Sequence, residues 1–110
     1  MSGFAADTCG SDRYAVIFTS KRTEGDKGYE NTSNRIVELV SHFKGFLGAE
    51  SVRGADGFGI TVSYWDSLKS IEEWKNNAEH AKAKQSGINE WYEEYRIRIC
   101  RIESETSFTK

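Results

Sequence analysis

The sequence predicts an α+β fold, a four-stranded antiparallel sheet carrying two helices, with the elements in the order β-α-β-β-α-β. Three observations predict it. Stretches with the two-residue rhythm of strands are interleaved with stretches whose apolar residues recur every three or four positions. Asp56-Gly57 stands between two strand-like runs as the turn of an antiparallel hairpin. Finally, 110 residues with 37% hydrophobic and 13% aromatic content suffice for one compact core and are too few for two.

Residues 1–12 are small and polar apart from Phe4 and read as a tail. The domain spans 13–103. It begins with RYAVIFTS, which places Tyr14, Val16 and Phe18 on one side and Ala15 and Ile17 on the other, the pattern of a central strand covered on both faces. The charged segment SKRTEGDKG suits an exposed connection. Asp26 is placed to cap a helix in which Tyr29, Thr32, Ile36, Leu39, Val40 and Phe43 form one stripe. His42 falls off that stripe and is read as facing solvent.

Gly45 supplies the helix stop, and Phe46 to Arg53 and Phe58 to Trp65 form the hairpin around Asp56-Gly57. The second of these strands alternates Phe58, Ile60, Val62 and Tyr64 with Gly59, Thr61, Ser63 and Trp65. One face is greasy, and the other is small and hydroxylated and ends in an indole. Asp66 or Ser67 caps the next helix, with the stripe Leu68, Ile71, Trp74 and Ala78. A later stripe of Ala81, Ile88, Trp91, Tyr92 and Tyr95 is out of phase with the first, which predicts a break at Asn76-Asn77 and a second helical segment beyond it. RIRICRIE closes the sheet, and residues 104–110 are a polar tail.

A net charge of -2, with lysines and arginines scattered among carboxylates, gives no footprint for a nucleic-acid partner. No apolar run approaches the roughly 18 residues that span a bilayer, and the N-terminus lacks the form of a signal peptide, which predicts a cytoplasmic protein without a membrane partner. Cys9 and Cys100 make a poor disulfide framework. His42 and His80 belong to no metal-ligand spacing, so no metal is expected.

This element order is that of the ferredoxin-like arrangement, with both helices on one face of the sheet. The apolar residues left for the other face predict a homodimer in which two sheets meet.

The segments Phe46-Leu47-Gly48, ITVSYWDSLKSIEEW, the AEH that follows and the closing WYEEYRIRICRIE together resemble the antibiotic-biosynthesis monooxygenase (ABM) domain family, over Arg13 to Glu103. The resemblance implies a dimeric α/β barrel of ferredoxin-like subunits with a pocket for a small molecule. Some members oxygenate polycyclic aromatic polyketides without metal or flavin; others take part in haem degradation. Trp74 matches a tryptophan of the haem-degrading branch. That branch's histidine ligand falls at Lys84 here, and its first-strand asparagine has no counterpart in RYAVIFTS. The implied activity is therefore cofactor-independent monooxygenation of an aromatic or hydrophobic molecule, with a non-catalytic binding or stress-related barrel as the alternative.

For such chemistry the catalytic candidates are His80, as a general base, and Trp74. Trp65, Tyr64, Ser63, Tyr92 and Arg98 are the substrate-binding candidates, and Thr61 could add a hydroxyl donor. Packing alone also accounts for Trp65 and Trp74, and a salt bridge would account for Arg98. The direction of His80 depends on the helix break. On a continuous helix it points away from the Trp74 stripe; after a break it lies beside the stripe carrying Trp91.

Overall fold

The computed structural model of the chain describes residues 12–25, 29–83 and 91–110, and at Thr32 and residues 78–83 the backbone alone. Its elements are β1 (Arg13–Arg22), α1 (Tyr29–Ser41), β2 (Phe46–Arg53), β3 (Phe58–Trp65), α2 (Leu68–Ala83) and β4 (Tyr92–Ile102). The strands form one sheet in the order β2-β3-β1-β4, each neighbouring pair antiparallel. This is the ferredoxin-like arrangement. Among the described residues no helix is long and apolar enough to cross a membrane.

Local chemistry sets the joints. Helix α1 ends at Ser41, ahead of the stop expected at Gly45; Gly45 instead turns the chain into β2 with φ 94°, a conformation that costs a residue with a side chain, and its carbonyl accepts the Asp66 amide at 2.9 Å. In the hairpin, Gly57 turns with φ 91°, its amide donates to the Gly54 carbonyl at 3.0 Å, and Asp56 Oδ1 accepts the Phe58 amide at 3.1 Å. Of the two expected caps for α2, Ser67 takes the role: its Oγ accepts the Ser70 amide at 3.1 Å. Asp26, the expected cap of α1, lies outside the described residues.

Directly paired residues of an antiparallel ladder share a face of the sheet, so the register sorts the side chains. Trp65 lies 6.4 Å, ring centre to ring centre, from Trp74 of α2, which marks its face as the one the helices cover. Tyr14 pairs with Trp65, Val16 with Ser63 and with Ile99, Phe18 with Thr61 and with Ile97, and Ser20 with Gly59 and with Tyr95. All therefore look toward the helices. The opposite face carries Phe58, Ile60, Val62 and Tyr64 from β3 with Val52 and Glu50 from β2.

Two further expectations are corrected. Helix α2 runs through Asn76 and Asn77 without a break. Both asparagines are exposed, and an asparagine inside a helix costs well under about 1 kcal/mol, less than orphaning the amides and carbonyls at a break. Residues 84–90, which the expected second segment would have crossed, lie outside the described residues. Secondly, Tyr92 and Tyr95 belong to β4, not to a helix. Arg22 pairs with Tyr92 and Lys21 with Glu94, leaving Glu93 as the extra residue of a β-bulge. The bulge brings Tyr92 and Tyr95 onto one sheet face although they are three residues apart, a spacing that imitates a helical stripe.

Candidate functional site

The helix-facing side of the sheet has aromatic groups at both ends. At one end Trp65, 1% exposed, is boxed in by Phe46 at 5.4 Å, Phe43 at 6.3 Å and Trp74 at 6.4 Å, and Phe43 meets Trp74 edge-on at 5.3 Å. The stripe of α2 explains this, since Ile71 is buried and Trp74 lies one turn on. The Trp65 Nε1–H donates to Ser63 Oγ at 2.9 Å, so the buried indole is satisfied within its own strand.

At the other end Phe18 packs against Tyr92 at 5.5 Å and Tyr95 at 5.8 Å, Tyr29 of α1 meets Tyr92 edge-on at 5.9 Å, and the Arg22 guanidinium lies 3.6 Å above the Tyr29 ring. Between the two ends the surface is apolar and open. Ile97 and Ile99 face the helices and remain 51% and 49% exposed. The reason is positional: α1 comes nearest β2 and α2 nearest β3, which leaves β1 and β4 thinly roofed among the described residues.

A polar group not foreseen from the sequence closes the tyrosine end. Arg53 extends from β2 across Gly59 of β3 to β1. Its Nη2 donates to Ser20 Oγ at 2.8 Å, and its Nη1 donates to the Gly57 carbonyl at 2.6 Å and to the Ser20 carbonyl at 3.4 Å. A methyl group at Gly59 would sit 2.6 Å from the guanidinium carbon, so the crossing requires glycine there. Ser20 is itself almost wholly buried. Burial, with further contributions from the charge of Tyr29 and a hydrogen bond to it, holds the Tyr92 hydroxyl well above the usual phenol range; Arg53 and Arg22 pull in the other direction without prevailing. The readable signal for this group was a strand glycine facing a strand arginine across the hairpin.

The structure gathers some of the expected residues and separates others. Trp65, Trp74, Ser63, Thr61 and Tyr92 lie on the helix side. Thr61 is tied to Ser51 by a hydroxyl contact of 2.8 Å. Tyr64 pairs with Ala15 and Arg98 with Ile17, which puts both on the opposite face, a sheet's thickness away. There the Tyr64 hydroxyl donates to Glu50 Oε1 at 2.6 Å. His80 belongs to α2 by its backbone, and its side chain lies outside the described residues.

A four-stranded antiparallel sheet with both helices on one side defines an α+β domain of the ferredoxin-like class. Within that class the chain belongs to the antibiotic biosynthesis monooxygenase family, whose model matches residues 14–86. It is 46% identical over 108 residues to YqjZ, an uncharacterised protein of Bacillus subtilis, covering 98% of this chain and 95% of YqjZ. Among solved structures it is similar to a mutant form of SnoaB, a cofactor-independent oxygenase from Streptomyces nogalater. The TM-score is 0.70 and the identity 8%, over 86% of this chain and 97% of that one. It is also similar to PA3566 from Pseudomonas aeruginosa, with a TM-score of 0.69 and 15% identity over 86% and 97% of the two chains. At such identities these likenesses speak for the fold alone.

Proposed function

We propose that this chain binds an aromatic or hydrophobic small molecule between the sheet and the helices and oxygenates it without a cofactor. The observation that carries the binding half is the half-exposure of Ile97 and Ile99 on the side of the sheet that the helices roof. A packed core would bury these side chains, at a gain of about 1.5–3 kcal/mol each. An apolar molecule lying on them supplies the missing cover. The oxygenation half is supported by membership of the antibiotic biosynthesis monooxygenase family.

The chemistry suits a substrate that is its own reductant. A phenol or enol loses a proton to solvent, its electron-rich anion reacts with dioxygen, and an activated methylene becomes a carbonyl as the second oxygen atom leaves in water with a proton taken back from solvent. The protein's share is a dry apolar slot and donors for the anion. Trp74 is the half-buried wall of that slot, and Ser63 and Thr61 line its floor. The same reading makes the protein a homodimer, with the open faces of two sheets packed together. Val52, 70% exposed, and Ile60, 46% exposed, support that arrangement.

Oxygen uptake with a panel of anthrones, naphthols and hydroquinones, alongside calorimetric binding of the same compounds, tests the proposal. Turnover with stoichiometric carbonyl product is expected. Saturable binding without turnover would sink the oxygenase half and leave a binding protein. Ile99→Trp tests the slot directly: it should abolish binding while changing stability by less than about 0.5 kcal/mol, since the space it fills is open. A destabilisation of about 1–3 kcal/mol would show an already filled core.

A further inference from the structure

Arg53 is a cation fixed in place, among the described residues, by neutral groups alone. Its three hydrogen bonds go to neutral oxygens, those of Ser20 and Gly57, and among the described residues no carboxylate pairs with it. Structural arginines lying partly out of water are ordinarily paired, because desolvating a guanidinium costs free energy that a neutral acceptor repays incompletely. The chain has gone to some length to place this one. Gly59 is bare so that the side chain can cross β3, and the hydroxyl of a nearly fully buried serine receives it. The crossing delivers the guanidinium to the helix-facing side of the sheet, where its charge is felt at the Tyr92 hydroxyl. That side also bears Phe18 and the half-exposed Ile97.

We propose that Arg53 is the anchor for an anionic group on the ligand, a carboxylate or a comparable oxyanion. The ligand is then an amphipathic aromatic acid, its hydrophobic body along Ile97 and Ile99 and its charge at the tyrosine end. The inference rests on the apolar slot described above and adds to it a polarity and a substrate class. Two donors of the Arg53 fork, Nε–H and the second hydrogen of Nη2, are not engaged by Ser20 or Gly57 and remain for such a group. Binding an anion there compensates the charge without disturbing the bonds that hold the side chain.

A matched pair of probes, 2-naphthoate and the neutral 2-naphthylmethanol, tests this by titration calorimetry on the full chain at neutral pH. The wild type should bind the acid at least about tenfold more tightly than the alcohol, the usual advantage of a charge-assisted bond. Arg53→Gln should bring the two probes to parity while leaving affinity for the alcohol within about twofold. Arg53→Lys, which keeps the charge on a side chain without the fork, should retain part of the preference. Equal binding of both probes by the wild type overturns the proposal, as does a preference that survives Arg53→Gln. Binding of neither probe overturns the slot itself, and this inference with it, and is thereby distinguishable from loss of the anion preference alone.

Discussion

The indole of Trp65 donates its Nε1–H to the hydroxyl of Ser63, two residues earlier on the same strand and 2.9 Å away. The largest buried side chain of the described residues therefore needs no ligand to satisfy its polar atom. Ser63→Ala should leave that N–H unpaired and cost about 1–3 kcal/mol in urea denaturation. In a Trp65→Phe background the same substitution should cost less than about 0.5 kcal/mol, because the donor is gone. Equal costs in both backgrounds would mean the bond does not form in solution. Trp65→Ala, which empties a box of three aromatic rings, should cost about 3–5 kcal/mol.

The pairing of these two residues was legible in the sequence as far as their shared face, and that is typical of this chain. Strict alternation in Phe58 to Trp65 and the Asp56-Gly57 turn are local signals, and the structure keeps both. The bulge at Glu93 is not local. It exists because β4 must pair with β1, and it converts a three-residue spacing of tyrosines from a helical signature into a strand one. Arg53 was hidden for a similar reason: its role depends on Gly59 and Ser20, contributed by two other strands. The separation of Tyr64 and Arg98 from Trp74 likewise follows from which face the helices roof, and one strand's periodicity cannot say which of its faces that is.

On the open face, burial first, then the bond to Glu50 and its charge, and then the charge of Glu105, push the Tyr64 phenol from 10.0 up to about 12. Ultraviolet titration of phenolate formation should show one tyrosine with a midpoint there. Glu50→Gln should lower it, though not to 10.0, since burial remains. The sign for stability follows from linkage. A group whose folded pKa is raised favours the fold while it stays protonated, so its contribution is whole below pH 10 and is lost as pH rises from 10 toward 12. Wild type should therefore lose more stability over that interval than Glu50→Gln. An identical decline in the two proteins would rule out this pair as the cause.

The same face carries Ile60 and Val52 in the open, with Phe58 half-exposed beside them. Ile60→Glu places a charge at the centre of the proposed contact between two sheets. In a lone subunit this change is cheap, since the side chain already meets water; in a dimer it buries an unpaired carboxylate. Light scattering should give the wild type twice the mass of the 12.5 kDa chain and the variant the single mass, with far-ultraviolet circular dichroism unchanged. A monomeric wild type at micromolar concentration would refute the dimer.

Gly59→Ala separates the position of Arg53 from its charge. The added methyl would meet the guanidinium carbon at 2.6 Å, and the group in its way is the far end of a flexible side chain, so the arginine moves and the backbone stays. The strand tolerates alanine, and replacing glycine stiffens the unfolded chain by about 0.4–1 kcal/mol in the fold's favour. Against this stands the lost bond to Ser20, worth about 1.5–3 kcal/mol for a charged donor. A net destabilisation of about 1–2 kcal/mol in urea is expected, with the chain still folded. Its preference for 2-naphthoate over the alcohol should fall toward parity although every formal charge is retained. If the preference persists undiminished, the anion is read by the protein's general field and not by a guanidinium held against Ser20.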